Sequence, residues 1–151
     1  KLDAGDYDAI ILASAGLKRL GMADRIMERL DTKISLPAIG QGAIGIECRS
    51  DDAGINGILK QLHDGNTGIC VTAERAMNAR LNGGCQVPIA GFAEIQGDVL
   101  MMRGLVGDPN GSRVIRSERN GRLYEAEFVG TTIAEDLLQQ GADKILQALI
   151  L

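Results

Sequence analysis

The chain has 151 residues, a net charge of −4, 45% hydrophobic and 24% charged residues, two Phe, two Tyr and no Trp. That length suits one ordinary domain, or one small domain plus part of another. An acidic, aromatic-poor chain excludes the basic footprint and base-stacking platforms of a nucleic-acid binder, and no apolar run approaches the roughly 20 residues of a membrane span.

Three cysteines, Cys48, Cys70 and Cys85, and one histidine, His63, lack the clustered ligand spacing of a zinc site, so no metal is expected. An odd cysteine count without a signal peptide reads as reduced thiols in the cytoplasm. The chain opens at Lys1 without Met, close before a strand-like run, which predicts a fragment.

Taken in order, Ala9-Ile10-Ile11-Leu12-Ala13 is an unbroken apolar run, the pattern of a strand buried on both faces of a parallel α/β sheet. Ser14-Ala15-Gly16 turns it into a helical pattern through Leu17, Leu20, Met22, Ile26, Met27 and Leu30. Lys18 and Arg19 follow the strand's carboxyl end, where open α/β sheets gather ligands. Arg19 there has two readings: a bidentate grip on a carboxylate, or a solvated charge on a helix face. Pro37, Gly40 and Gly42 make an extended, bendable connection, and Ala43-Ile44-Gly45-Ile46-Glu47-Cys48 reads as a second buried strand. Two central-type strands with one helix between them cannot cover both faces of a sheet, so residues 1 to about 60 read as the tail of a larger α/β structure.

Asp51 and Asp52 are candidate caps for a short helix carrying Ile55, Ile58, Leu59 and Leu62. His63-Asp64-Gly65-Asn66 is a polar break and the preferred domain boundary. Asn66 or Thr67 is then expected to cap a longer helix with Ile69, Cys70, Ala73, Ala76, Met77 and Leu81 on its apolar stripe and Glu74, Arg75 and Arg80 facing outward. Cys70 on that stripe and Cys48 in the strand are expected to be core. Asn82-Gly83 suits the helix end.

Beyond it the period becomes that of strands: Ile89 to Ile95, Val99 to Val106 and Arg113 to Glu118, separated by turns at Gln96-Gly97-Asp98 and Asp108-Pro109-Asn110-Gly111. Such short connections predict an antiparallel meander. Thr132-Ile133-Ala134-Glu135 has the capping-box pattern, predicting a last helix from there through Gly141 to Ile150. Residues 66–151 thus read as an α+β domain with helices on one face of a three-stranded sheet. Its one chemically pointed feature is Cys85, a thiol delivered after two glycines.

Gly83-Gly84-Cys85-Gln86-Val87-Pro88-Ile89, preceded by Thr72-Ala73-Glu74-Arg75-Ala76-Met77, resembles the cofactor-attachment region of the porphobilinogen deaminases, also called hydroxymethylbilane synthases. Asp8-Ala9-Ile10-Ile11-Leu12-Ala13 with Ala15-Gly16-Leu17-Lys18-Arg19-Leu20-Gly21, and Leu36-Pro37-Ala38-Ile39-Gly40-Gln41-Gly42-Ala43, agree in the family's order over nearly the whole chain. The bacterial enzymes are the most similar.

The resemblance implies a cytoplasmic transferase of porphyrin biosynthesis that joins porphobilinogen head to tail, releasing ammonia, to give hydroxymethylbilane. It implies a dipyrromethane primer held as a thioether on Cys85, Arg19 among the arginines that bind acetate and propionate side chains, and Gln41 in an interdomain hinge near the cofactor. An azafulvene-like cation needs only a modestly populated thiolate, which matters because a helix C-terminus does not depress a thiol pKa. The family plan makes residues 1–36 the end of a second, periplasmic-binding-protein-like lobe. Residues 37–65 become the hinge, strand and helix returning to the first lobe, and 66–151 the third domain. It sets the catalytic aspartate, its neighbouring lysine and most cleft arginines upstream of Lys1, leaving this chain inactive alone, its missing N-terminal half a partner, and the family's usual state monomeric. The reading from another class is a non-catalytic carboxylate-binding module with Arg19 gripping the ligand and Cys85 idle.

Overall fold

The computed structural model describes residues 1–84 and 87–148. Its contacts divide the chain into two units, Lys1–Asp31 and Thr32–Leu151. The first holds one short helix, α1 (Ser14–Arg19), and a 3-10 turn at Ala23–Arg25. The helical pattern expected through Leu30 stops at Gly21, whose φ of +71° belongs to the left-handed region. Residues 9–13 form no β-ladder, and Ile11 is 78% exposed. The run has strand chemistry, but a strand is completed by neighbours that satisfy its amides and cover its faces, and the first unit contains none.

The same correction applies at residues 43–48 in the second unit, where no strand forms and Ile44 is 82% exposed. Cys48 is therefore exposed rather than core, and its thiol donates to Asn56 Oδ1 at 3.1 Å. Of the two expected caps, Asp52 serves α2 (Ala53–Leu59), accepting from the Ile55 amide at 3.0 Å. A 3-10 turn at Lys60–Leu62 follows.

The compact part begins at α3 (Gly65–Arg80). Its cap is Asp64, two or three residues ahead of the expected ones: the carboxylate accepts from the Thr67 amide at 2.7 Å, which holds it below the ordinary carboxylate range. Ala73, Met77 and Leu81 are buried, Ile69 and Cys70 pack beside them, and Arg75 and Arg80 face outward. Asn82, at φ +52°, ends the helix as expected.

β1 (Ile89–Gln96), β2 (Val99–Gly107) and β3 (Val114–Arg122) make the predicted antiparallel meander. β3 runs past Glu118, the end expected from sequence, because β2 offers partners out to Val99, opposite Arg122. After a 3-10 turn at Leu123–Glu125, α4 (Ala126–Gln139) starts well before the Thr132 capping pattern. Thr132 lies inside the helix with its hydroxyl donating to the Phe128 carbonyl, while Glu125 accepts from the Arg122 amide at the start. The single long final helix also divides: Gly141, at φ +94°, separates α4 from α5 (Ala142–Gln147).

Both long helices lie on one face of the sheet. Gly91 and Gly104 are register partners at its centre, and a Cβ on either would collide with Met77, so the pair forms a shallow floor on which α3 rests. α3 and α4 are equally close: a Cβ on Gly130 would strike the Ala73 carbonyl. Exposed helical Gly→Ala changes stabilise by up to about 1 kcal/mol, but here backbone stands in the way. Gly130→Ala is expected to destabilise the chain by about 1–3 kcal/mol, read as a lowered urea midpoint with unchanged slope. A stabilised variant would show that the helices can part cheaply.

Candidate functional site

The connection through Pro37 and Gly40 does not hang free. Thr32 is held on the outer face of the sheet by Arg103, whose guanidinium donates to its carbonyl at 3.2 Å and its hydroxyl at 2.8 Å. The chain then covers the free edge of β1, with the Gly91 amide donating to the Pro37 carbonyl at 3.1 Å and Ile39 packed against the core. Residues 40–43 end beside α3, closing one side of a cleft of about 440 Å³ whose other walls include Cys70, Glu74, Phe92 and Ala93.

Glu74 is the main correction to the sequence reading, which faces it outward. It is 5% exposed. One carboxylate oxygen accepts from the Ala93 amide at 2.9 Å and the other from the Gly40 amide at 2.7 Å. One side chain thus ties helix, sheet edge and hinge together. Burial pushes its pKa above the ordinary 4.5, more than the two amide bonds pull it down. Its position was legible: Cys70, Ala73, Glu74, Met77 and Leu81 follow the 3–4 spacing of a single buried stripe. The Cys70 thiol is also pushed up, first by burial and then by Glu74 and Glu94, which keeps it protonated.

Gln41 lines the cleft, exposed, between Gly40 (φ +69°) and Gly42 (φ +90°). Arg19 ends α1 in the first unit and is exposed, as is Lys18. Cys85, with Gln86, lies outside the described residues. Its flank is built for a close approach: the Gly83 amide donates to the Asn78 carbonyl at 2.9 Å, and a Cβ on Gly83 would collide with the Asn78 side chain. The Val87 amide donates to the Gly84 carbonyl at 3.1 Å.

The cleft's chemistry is selective. It has amide, hydroxyl and carboxylate groups but no Lys or Arg among its described lining residues. Among the described residues no cluster of three or more His, Cys, Asp or Glu could hold a metal, and no helix is long and apolar enough to cross a membrane.

Because the folded state raises the Glu74 pKa, this group's stabilising contribution is full below the unfolded value and is lost as pH rises through the folded one. Glu74→Gln removes the titration. The stability difference between the two proteins is expected to move in the variant's favour as pH rises above 4.5, as measured by urea unfolding at a series of pH values. Parallel pH profiles would contradict the shift.

Two family models match the chain. Residues 1–57 match "Porphobilinogen deaminase, dipyromethane cofactor binding domain", and residues 68–139 match "Porphobilinogen deaminase, C-terminal domain". The first match identifies the open N-terminal segment as a remnant of the cofactor-binding domain. The second covers α3, the three-stranded sheet and α4. With both models matched in order along one polypeptide, the chain belongs to the porphobilinogen deaminase family.

Proposed function

We propose that this chain is the cofactor-carrying part of a transferase that condenses porphobilinogen head to tail into hydroxymethylbilane. The observation that carries the reading is the Gly83-Gly84-Cys85 sequence that follows α3, inside a chain that matches both family domains in order. The Cys85 sulfur replaces the amino group of a porphobilinogen aminomethyl arm. A C–S bond forms, the C–N bond breaks, and the thiol proton leaves with the nitrogen as ammonia. When bound, the dipyrromethane supplies a primer on which the product grows and from which hydrolysis frees it.

The roles of the chain's own residues follow. Gly83 keeps bulk away from the anchor, Arg19 pairs with acetate or propionate groups, and Gln41 marks the hinge. Residues 1–36 belong to the second lobe, 37–65 return to the first, and 66–151 form the third domain. Cys70, held protonated in a partly buried site, and Cys48, bonded to Asn56, are poor competitors for attachment. On the family plan the acid–base work belongs to a catalytic aspartate outside the segments that carry Arg19, Gln41 and Cys85.

Two measurements test this. Intact mass spectrometry of the protein co-expressed with a complementing N-terminal half is expected to show one dipyrromethane-sized adduct, absent from Cys85→Ser. An unmodified thiol would overturn the anchor assignment. The purified 151-residue chain given porphobilinogen is expected to release no tetrapyrrole, and appreciable turnover would show that catalytic groups have been missed here.

A further inference from the structure

Gln41 sits between two glycines in left-handed conformations, and glycine resists such conformations less than any other residue. Left alone, that arrangement would let the side chain swing. Its own amide donates to the Ala38 carbonyl at 3.0 Å, a bond within the same segment, and the bond from the Gly40 amide to Glu74 ties that segment to α3. The other oxygen of the same carboxylate holds Ala93 in β1, so the hinge is referred to the rigid sheet rather than to another loop. One helical turn further, at the i+4 position, Asn78 accepts from the Gly83 amide through its carbonyl, and its side-chain amide lies 3.5 Å from the Gly83 carbonyl. Residues at that spacing share one helix face. α3 therefore holds the hinge with one residue and the glycine loop before Cys85 with the next on that face.

A merely structural role does not account for a carboxylate here. A single edge amide is satisfied by water or a neutral acceptor, whereas burying a charge costs several kcal/mol before compensation. What a carboxylate adds is two acceptors on one rigid plane, able to fix two chain segments at once.

We propose that Glu74 is a positioning residue, holding the Gln41 backbone in place by clamping the Gly40 and Ala93 amides to α3. The assignment of Gln41 and Cys85 to the cofactor rests on the function proposed above; the clamp itself is a property of the unmodified chain.

The test is NMR on the 151-residue chain, without cofactor. Glu74→Gln keeps shape but offers only one acceptor. Amide exchange at Gly40 is expected to rise about tenfold or more, with Leu100 and Met102 unchanged. The Gln41 backbone order parameter should fall from a rigid value near ~0.85 to below about 0.6. Val129→Ala, which trims the core where α4 faces Gly121 of β3, should leave that order parameter unchanged. An unaltered Gln41 in Glu74→Gln, or an equal drop in Val129→Ala, would overturn the proposal. If Glu74→Gln does not fold, the wild-type chain decides: protection of the Gly40 amide supports the clamp, and exchange at the unprotected rate refutes it. None of these outcomes depends on whether Cys85 carries an adduct.

Discussion

Met77 rests on a floor of two paired glycines, and the rest of the domain follows from how deeply that lets α3 sit. With side chains at positions 91 and 104 the Met77 side chain would have to give up its seat on the sheet. Glu74, one turn back along the same helix, reaches the β1 edge at Ala93. The same depth brings α3 against α4, where Gly130 leaves room for the Ala73 carbonyl. An aliphatic core with almost no aromatic residues has few large side chains to fill gaps, so close backbone approach supplies the packing instead.

Legibility followed the range of the interactions involved. The meander was readable because its turns are local: Gly97 and Gly111 adopt positive φ where the turn signals stand. α3 was readable from its period. Glu74 was misread because charge was given more weight than spacing, although its place between Ala73 and Met77 put it on the buried stripe. The start of α4 was misread for the opposite reason, since Thr132 and Glu135 fit a local motif that the preceding turn of helix had already made unnecessary. The length of β3 depended on what β2 offered it, which no local pattern in an arginine-rich segment records.

Residues 9–13 and 43–48 mark a different limit. Their composition is that of buried strands and a family model accounts for them, yet neither pairs in this chain. Strand propensity describes a surface suited to a sheet; it does not create the sheet. Among the candidate site residues, the glycines flanking position 85 could be understood from sequence alone, because the absence of a side chain is a local property. The clamp on the hinge joins residues 34 positions apart, and only folding reveals it.

The strap from Pro37 to Gly40 has one more consequence. A sheet of three strands has two outer edges, and bare edges invite strands from other molecules. Here the amides of Gly91 and Ala93, which point away from β2, are already taken by Pro37 and Glu74. The opposite outer strand carries Arg116, Glu118, Arg119 and Arg122, charges that discourage a newcomer. The strap is thus also a guard: the segment from Pro37 to Gly40 occupies the place where an unrelated strand would otherwise add.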